Sequence, residues 1–154
     1  MSSRFKNLFL DIIEHLSSWE TISSDTSVRF DVNYACDTSA GKITVEIPTI
    51  TPELVTKDRK VVFADATGSF GYAITAGSGQ DEHTEFPKAL IIKKPQETYD
   101  SNDDPIYKKL MGEDWNKDLE IHTSRSSFGL IYVDEEYGWK YCCFCISPPP
   151  ETTY

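Results

Sequence analysis

The sequence predicts an α+β domain: an N-terminal amphipathic helix packed on a single, mostly antiparallel, strongly curved β-sheet of about 6-7 strands. Apolar residues near the N-terminus recur at helical spacing, whereas over most of the remaining chain they alternate with polar residues. The 154 residues are 39% hydrophobic and 12% aromatic, which is too apolar for a disordered chain. We expect one domain at residues 1–146 and an extended Pro-rich tail at residues 147–154.

The predicted helix begins after Ser2 or Ser3, either of which can serve as the N-cap, and ends near Ser17 and Ser18. Its apolar positions follow the spacing i, i+3, i+4, i+7, i+8 and i+11, which places them on one helical face. These positions are Phe5, Leu8, Phe9, Ile12, Ile13 and Leu16.

The predicted strands come next. In residues 27–36 and 42–47 every second residue is apolar, as in strands with one buried face, and the turn-rich segment 37–41 joins them. Further strands are predicted at residues 60–65, 68–79, 88–94, 119–122, 127–133 and 139–146. The last two form a hairpin across residues 134–138. Residues 95–116 are polar and predict a loop with one helical turn around residues 106–111. The tail should be extended and take no part in a ladder.

The net charge of -10 and the pI near 4.7 argue against nucleic acid and an anionic membrane surface as partners. The negative electrostatic potential of such a chain attracts basic proteins. Most of the excess acidic residues lie in the second half of the chain. No apolar run reaches the roughly 20 residues of a membrane span, and no secretory signal is recognisable. We expect a cytoplasmic protein. Exposed strands, one of them flanked by lysines, leave homodimer formation open.

Three of the four cysteines lie in one predicted strand, where Cys143 and Cys145 share a face with Trp139 and Cys142 points the other way. A structural zinc site draws on two close ligand pairs, but the chain offers only Cys36 besides this group. Buried core thiols are the favoured interpretation. A metal site, or a disulfide from Cys36 to Cys143 or Cys145, remains open.

No motif predicts catalysis. The segment 63–71 resembles the Asp-Thr-Gly turn of aspartic proteases, but Ala66 separates Asp65 from Thr67 and no second copy occurs. A structural turn explains this segment. Residues 100–105 offer oxygens as a calcium loop does, yet Pro105 and Met111 stand where Gly and Glu are required. We therefore assign no catalytic residue, cofactor or metal.

Acidic residues beside aromatic rings in predicted loops favour a protein-binding surface, in which rings act as anchors and charges select a basic partner. The candidate residues are Asp100, Asp103, Asp104, Glu113, Asp114, Trp115, Asp134, Glu135, Glu136 and Tyr137.

The sequence therefore predicts a non-enzymatic inhibitor or adaptor that docks on a basic protein. In size and charge it is similar to toxin-neutralising immunity proteins and to phage-encoded blockers of defence nucleases. The alternative is a small-ligand binder or enzyme. Its pocket would lie between helix and sheet and be lined by Tyr34, Tyr72, Trp139 and Tyr141.

Overall fold

Nearly every regular element of the described chain is a β-strand. The computed structural model describes residues 19–50, 59–95, 98–99, 105–106, 108–142 and 151–152. In chain order the strands are β1 (Trp19–Ile22), β2 (Thr26–Ser27), β3 (Asn33–Cys36), β4 (Ile43–Glu46), β5 (Arg59–Asp65), β6 (Ile74–Ala76), β7 (His83–Glu85), β8 (Leu90–Lys93), β9 (Thr98–Tyr99), β10 (Pro105–Ile106), β11 (Lys109–Leu110), β12 (Glu113–Asp114), β13 (Leu119–Ile121), β14 (Ser127–Asp134), β15 (Gly138–Cys142) and β16 (Glu151–Thr152). One short 3-10 helix, Gly79–Asp81, lies between β6 and β7.

The strands form two large sheets and two separate hairpins. The seven-stranded sheet has the order β1-β3-β5-β14-β15-β11-β12, and the five-stranded sheet has the order β16-β13-β8-β4-β2. Strands β6 and β7 pair as one hairpin, and β9 and β10 pair as the other. Both large sheets contain parallel and antiparallel neighbours.

The first five strands alternate between the two large sheets. Strands β1, β3 and β5 are neighbours in the seven-stranded sheet, whereas β2 and β4 are neighbours in the five-stranded sheet. Between two neighbouring strands the chain passes through one strand of the other sheet, so it reverses direction once on the way there and once on the way back. Because two reversals restore the chain direction, these neighbours are parallel.

The two large sheets share one hydrophobic core. Phe63 of β5 lies between Tyr34 of β3 and Phe128 of β14 across the seven-stranded sheet, and the rings of Tyr34 and Phe63 stack with centroids 5.9 Å apart. The five-stranded sheet contributes Ile43 and Ile92, and all five residues are buried in a single cluster. The period-two alternation of the sequence thus supplies the inner face of each sheet.

The predicted α+β class, with its single and mostly antiparallel sheet, is wrong. The described residues contain no helix of seven or more residues, and their strands belong to several sheets. The segment expected to be helical, residues 2–18, lies outside the described residues. The single-sheet prediction assumed that successive strands are neighbours, which is the commoner arrangement but does not hold for the strands on either side of residues 37–41.

Other local predictions had mixed outcomes. Strands β14 and β15 pair antiparallel, which confirms the predicted C-terminal hairpin. The predicted helical turn around residues 106–111 is wrong, because β11 and β12 form a tight hairpin there. Residues 147–150 of the tail lie outside the described residues, but β16 pairs with β13, so the end of the tail joins a ladder.

One carboxylate organises the turn after β5. Asp65 accepts hydrogen bonds from the backbone N–H groups of Thr67, Ser69 and Phe70 at 3.3, 3.2 and 3.4 Å. It also accepts the backbone N–H of Arg125 at 2.8 Å, which ties this turn to the segment before β14. The carboxylate therefore holds two turns together.

Candidate functional site

The β11–β12 hairpin closes through a two-residue turn with an unusual residue at its tip. Leu110 pairs with Glu113, which leaves Met111 and Gly112 as the two central residues. Both have positive φ angles, 55° and 84°, as a type I′ turn requires. Asparagine, aspartate and glycine are favoured at such positions, whereas methionine is strained there. A strained apolar side chain at an exposed tip suggests a role outside the fold.

This turn is hydrogen-bonded to the end of the β14–β15 hairpin. The N–H of Met111 donates to the carbonyl of Trp139 at 2.7 Å, and the N–H of Gly112 donates to the carbonyl of Tyr137 at 2.9 Å. Gly138 makes the approach feasible: its φ is 68°, and a Cβ there would overlap the backbone carbonyl of Lys109. Two turns far apart in the sequence thereby become one surface.

We call this the double-turn surface, and define it by its six exposed side chains. They are Met111, Glu113, Asp114, Glu135, Glu136 and Tyr137. Met111 is 52% exposed and Tyr137 is 42% exposed, which is high for side chains of their size. The surface therefore combines two apolar side chains with four carboxylates. Asp134 is half-buried, and its carboxylate accepts the backbone N–H of Tyr137 at 2.8 Å, so it shapes the turn.

Two buried tryptophans lie behind the surface. Trp139 is completely buried, with Phe30 stacked on its ring and Tyr132 meeting it edge-on, each at a centroid distance of 5.7 Å. Trp115 is 3% exposed, and its indole N–H donates to the carbonyl of Lys117 at 2.8 Å. Packed rings of this kind hold the backbone of both turns in place.

The structure brings together two of the three acidic segments predicted from the sequence. Glu113 and Asp114 come from one segment, and Glu135, Glu136 and Tyr137 come from the other. Trp115 was predicted as a surface anchor, but it is buried and takes no part in the surface. The third segment, with Asp100, Asp103 and Asp104, lies outside the described residues.

Sequence reasoning missed Met111 and Lys140. Met111 was assigned to a helical turn, although Met-Gly between two short apolar or charged segments is compatible with a two-residue hairpin turn. Lys140 lies in the predicted strand 139–146, and the sequence assigns it no role. Its ammonium lies 4.4 Å from the centroid of the Tyr137 ring, which is a cation–π contact. No sequence signal predicts that contact.

The thiol at Cys36 is an inert core group. It is completely buried, and burial, followed by the negative charge of Asp65, raises its pKa to about 12. Cys142 is half-buried, and Cys143 and Cys145 lie outside the described residues. Within the described part of the chain, no three His, Cys, Asp or Glu side chains form a group that could hold a metal.

The aromatic residues of the alternative hypothesis do not surround one pocket. Tyr34 and Trp139 are buried in the core, whereas Tyr72 is half-exposed with the ammonium of Lys88 above its ring. Tyr141 is half-buried, and burial raises the pKa of its phenol. A shallow polar pocket of about 270 Å³ lies instead beside the edge strand β2. It is lined by Asp25, Thr26, Ser27, Thr44, Glu46 and Lys93.

Comparisons with known proteins add no family assignment. No protein-family model matches the chain, and no curated protein sequence matches it. Among the described residues, no helix has the length and apolar character needed to cross a bilayer. The function is therefore inferred from the chemistry of the double-turn surface.

Proposed function

We propose that the protein is a small non-enzymatic binding module of the cytoplasm that docks the double-turn surface on a basic partner protein, as an inhibitor or an adaptor. One observation carries the proposal. The backbone hydrogen bonds from Met111 and Gly112 to β15 and the turn before it place two exposed apolar side chains among four carboxylates.

The apolar and the acidic side chains of the double-turn surface contribute differently to binding a partner. Met111 and Tyr137 can enter shallow apolar depressions of a partner, and they project from backbone that is already held by hydrogen bonds. Little backbone conformational entropy is then lost on docking, and the entropic cost is confined to the side chains. The four carboxylates attract a positive surface and disfavour an acidic one, so they act mainly on association rate and partner choice.

A partner that complements this surface carries clustered lysine and arginine side chains. Surfaces that bind nucleic-acid phosphates have this composition. Docking of an acidic protein on such a surface would exclude the nucleic acid by occupying its site and by repelling its phosphates. An inhibitor of a nucleic-acid-binding protein or nuclease fits the charge and the geometry.

The test compares two variants with the same change in net charge. The site variant combines Glu113→Gln, Glu135→Gln and Glu136→Gln. The control variant combines Asp81→Asn, Glu82→Gln and Glu85→Gln on the separate β6–β7 hairpin. Asp134 is left intact because it holds the turn.

Wild type, site variant and control variant are each used for affinity capture from the native host, and the captured proteins are quantified by mass spectrometry. We expect a basic protein that wild type and control retain and the site variant loses. With that protein purified, the site variant should bind at least about tenfold more weakly at low salt. Equal loss of binding in both triple variants would reject docking through this surface.

A further inference from the structure

The ring of Tyr137 already holds a cation. Lys140 places its ammonium 4.4 Å from the ring centroid, and none of the ion pairs between described side chains includes Lys140. Acidic Glu135 and Glu136 precede Tyr137 directly in the chain. The one ring of the double-turn surface therefore follows two acidic residues in the chain and is covered by a lysine.

Lys140 reaches Tyr137 from the outer face of the seven-stranded sheet. Its neighbour Trp139 points into the core, and successive residues of a strand point to opposite faces. Lys140 lies opposite Ile131 in the ladder, so its side chain projects away from the core and extends toward the turn. A long, flexible side chain held by one weak contact can move aside at little cost.

We infer that the Tyr137 ring is the binding face for an arginine side chain of the partner, and that Lys140 is an internal competitor that must leave the ring before this arginine stacks on it. The inference rests on the proposed function and adds to it the group that is recognised. A planar guanidinium stacks on an aromatic face and can bond a neighbouring carboxylate at the same time, which suits Tyr137 beside Glu136 better than an ammonium does.

A second lysine–tyrosine pair supplies a matched control. The Lys88 ammonium lies 4.5 Å from the centroid of the Tyr72 ring, and that ring is half-exposed. No acidic residue lies within three positions of Tyr72 in the chain, whereas two acidic residues directly precede Tyr137. Lys88→Met changes the net charge as Lys140→Met does and also uncovers a tyrosine.

The experiment measures binding of a hexa-arginine peptide, with hexa-lysine as the second probe, to wild type, Lys140→Met and Lys88→Met. Each is also prepared with Tyr137→Leu, which removes the ring and keeps an apolar side chain. We expect Lys140→Met to bind hexa-arginine about two- to fivefold more tightly than Lys88→Met, the range that one exposed cation–π contact allows. The gain should vanish with Tyr137→Leu and be smaller for hexa-lysine.

A direct readout uses wild-type protein. The ε-methylene protons of Lys140 should resonate upfield because they lie over the ring, and should shift toward ordinary lysine values as hexa-arginine is added. Equal affinities of Lys140→Met and Lys88→Met, no binding to Lys140→Met, or unchanged Lys140 signals at saturation would each overturn the inference. The proposed function fails on a different result, namely unchanged partner capture by the site variant carrying the three Glu→Gln changes.

Discussion

Met111 has a backbone conformation that suits asparagine or glycine better than methionine. Its φ of 55° lies in the left-handed region, where a Cβ approaches the following carbonyl oxygen. The side chain is 52% exposed, so burial in the core does not offset this cost. The strain and the exposure together motivate the proposed role of Met111 as an apolar anchor.

The first prediction concerns this residue. Met111→Asn should raise the free energy of unfolding by about 1 kcal/mol, because Asn-Gly is a preferred type I′ turn. The same change should weaken partner binding, since it removes an apolar anchor. Urea unfolding and titration with the captured partner measure the two effects. Met111→Leu keeps the strain and the apolar surface, so it should leave both quantities nearly unchanged. Loss of stability in Met111→Asn would show that methionine packs favourably in its turn.

At the scale of elements, the close contact between β11 and β15 creates the site. Gly138 permits it in two ways, through its positive φ of 68° and through the absence of a Cβ beside the Lys109 carbonyl. Gly112 also has a positive φ, 84°, but a Cβ there would meet only the Tyr137 ring at an ordinary 3.5 Å. Alanine at Gly112 would introduce backbone strain alone, whereas alanine at Gly138 would introduce both backbone strain and overlap with the Lys109 carbonyl.

The second prediction follows from that comparison. Gly138→Ala should lower the free energy of unfolding by about 2 to 4 kcal/mol, because left-handed strain and a backbone clash act together. Gly112→Ala carries the strain alone and should cost about 1 to 2 kcal/mol. Chemical denaturation of both variants measures the difference. Amide exchange at Met111 should also accelerate in Gly138→Ala, since its bond to the Trp139 carbonyl is lost. Equal costs would mean that β11 moves away from Gly138 freely.

For the whole molecule, the shared core of the two sheets makes Cys36 a reporter of global opening. Its thiol is completely buried, and the burial that raises its pKa to about 12 keeps it protonated at neutral pH. Because the folded-state pKa is raised, this protonated thiol favours the fold below its unfolded pKa of 9.0. That contribution is lost as the pH rises toward 12.

The third prediction is that iodoacetamide at neutral pH alkylates Cys36 only in the small population of molecules in which the two sheets have separated. Addition of urea below the unfolding midpoint should accelerate the reaction in proportion to the unfolded population. Half-buried Cys142 should react faster in native conditions and depend less on urea. Peptide-resolved mass spectrometry distinguishes the two thiols. Rapid native alkylation of Cys36 would contradict a closed core at β3.

Alternation in the sequence was enough to place the buried residues of β3 and β4, because apolar and polar side chains must alternate in a half-buried strand. The acidic, Gly-containing turn between two apolar segments likewise located the β14–β15 hairpin. Local charge and aromatic content likewise identified Glu113, Glu135 and Tyr137 as surface candidates. These are properties of neighbouring residues, and a sequence displays them directly.

Only the tertiary structure decided which strands become neighbours. A turn reverses the chain in the same way whether the next strand joins the same sheet or the facing one, so parallel pairing of β1, β3 and β5 has no local signal. The same is true of β11 beside β15, which unites Met111 and Tyr137 across more than twenty residues of chain. Local patterns determine which face of a strand is buried, whereas pairing between distant segments depends on shape and on backbone contacts such as that at Gly138.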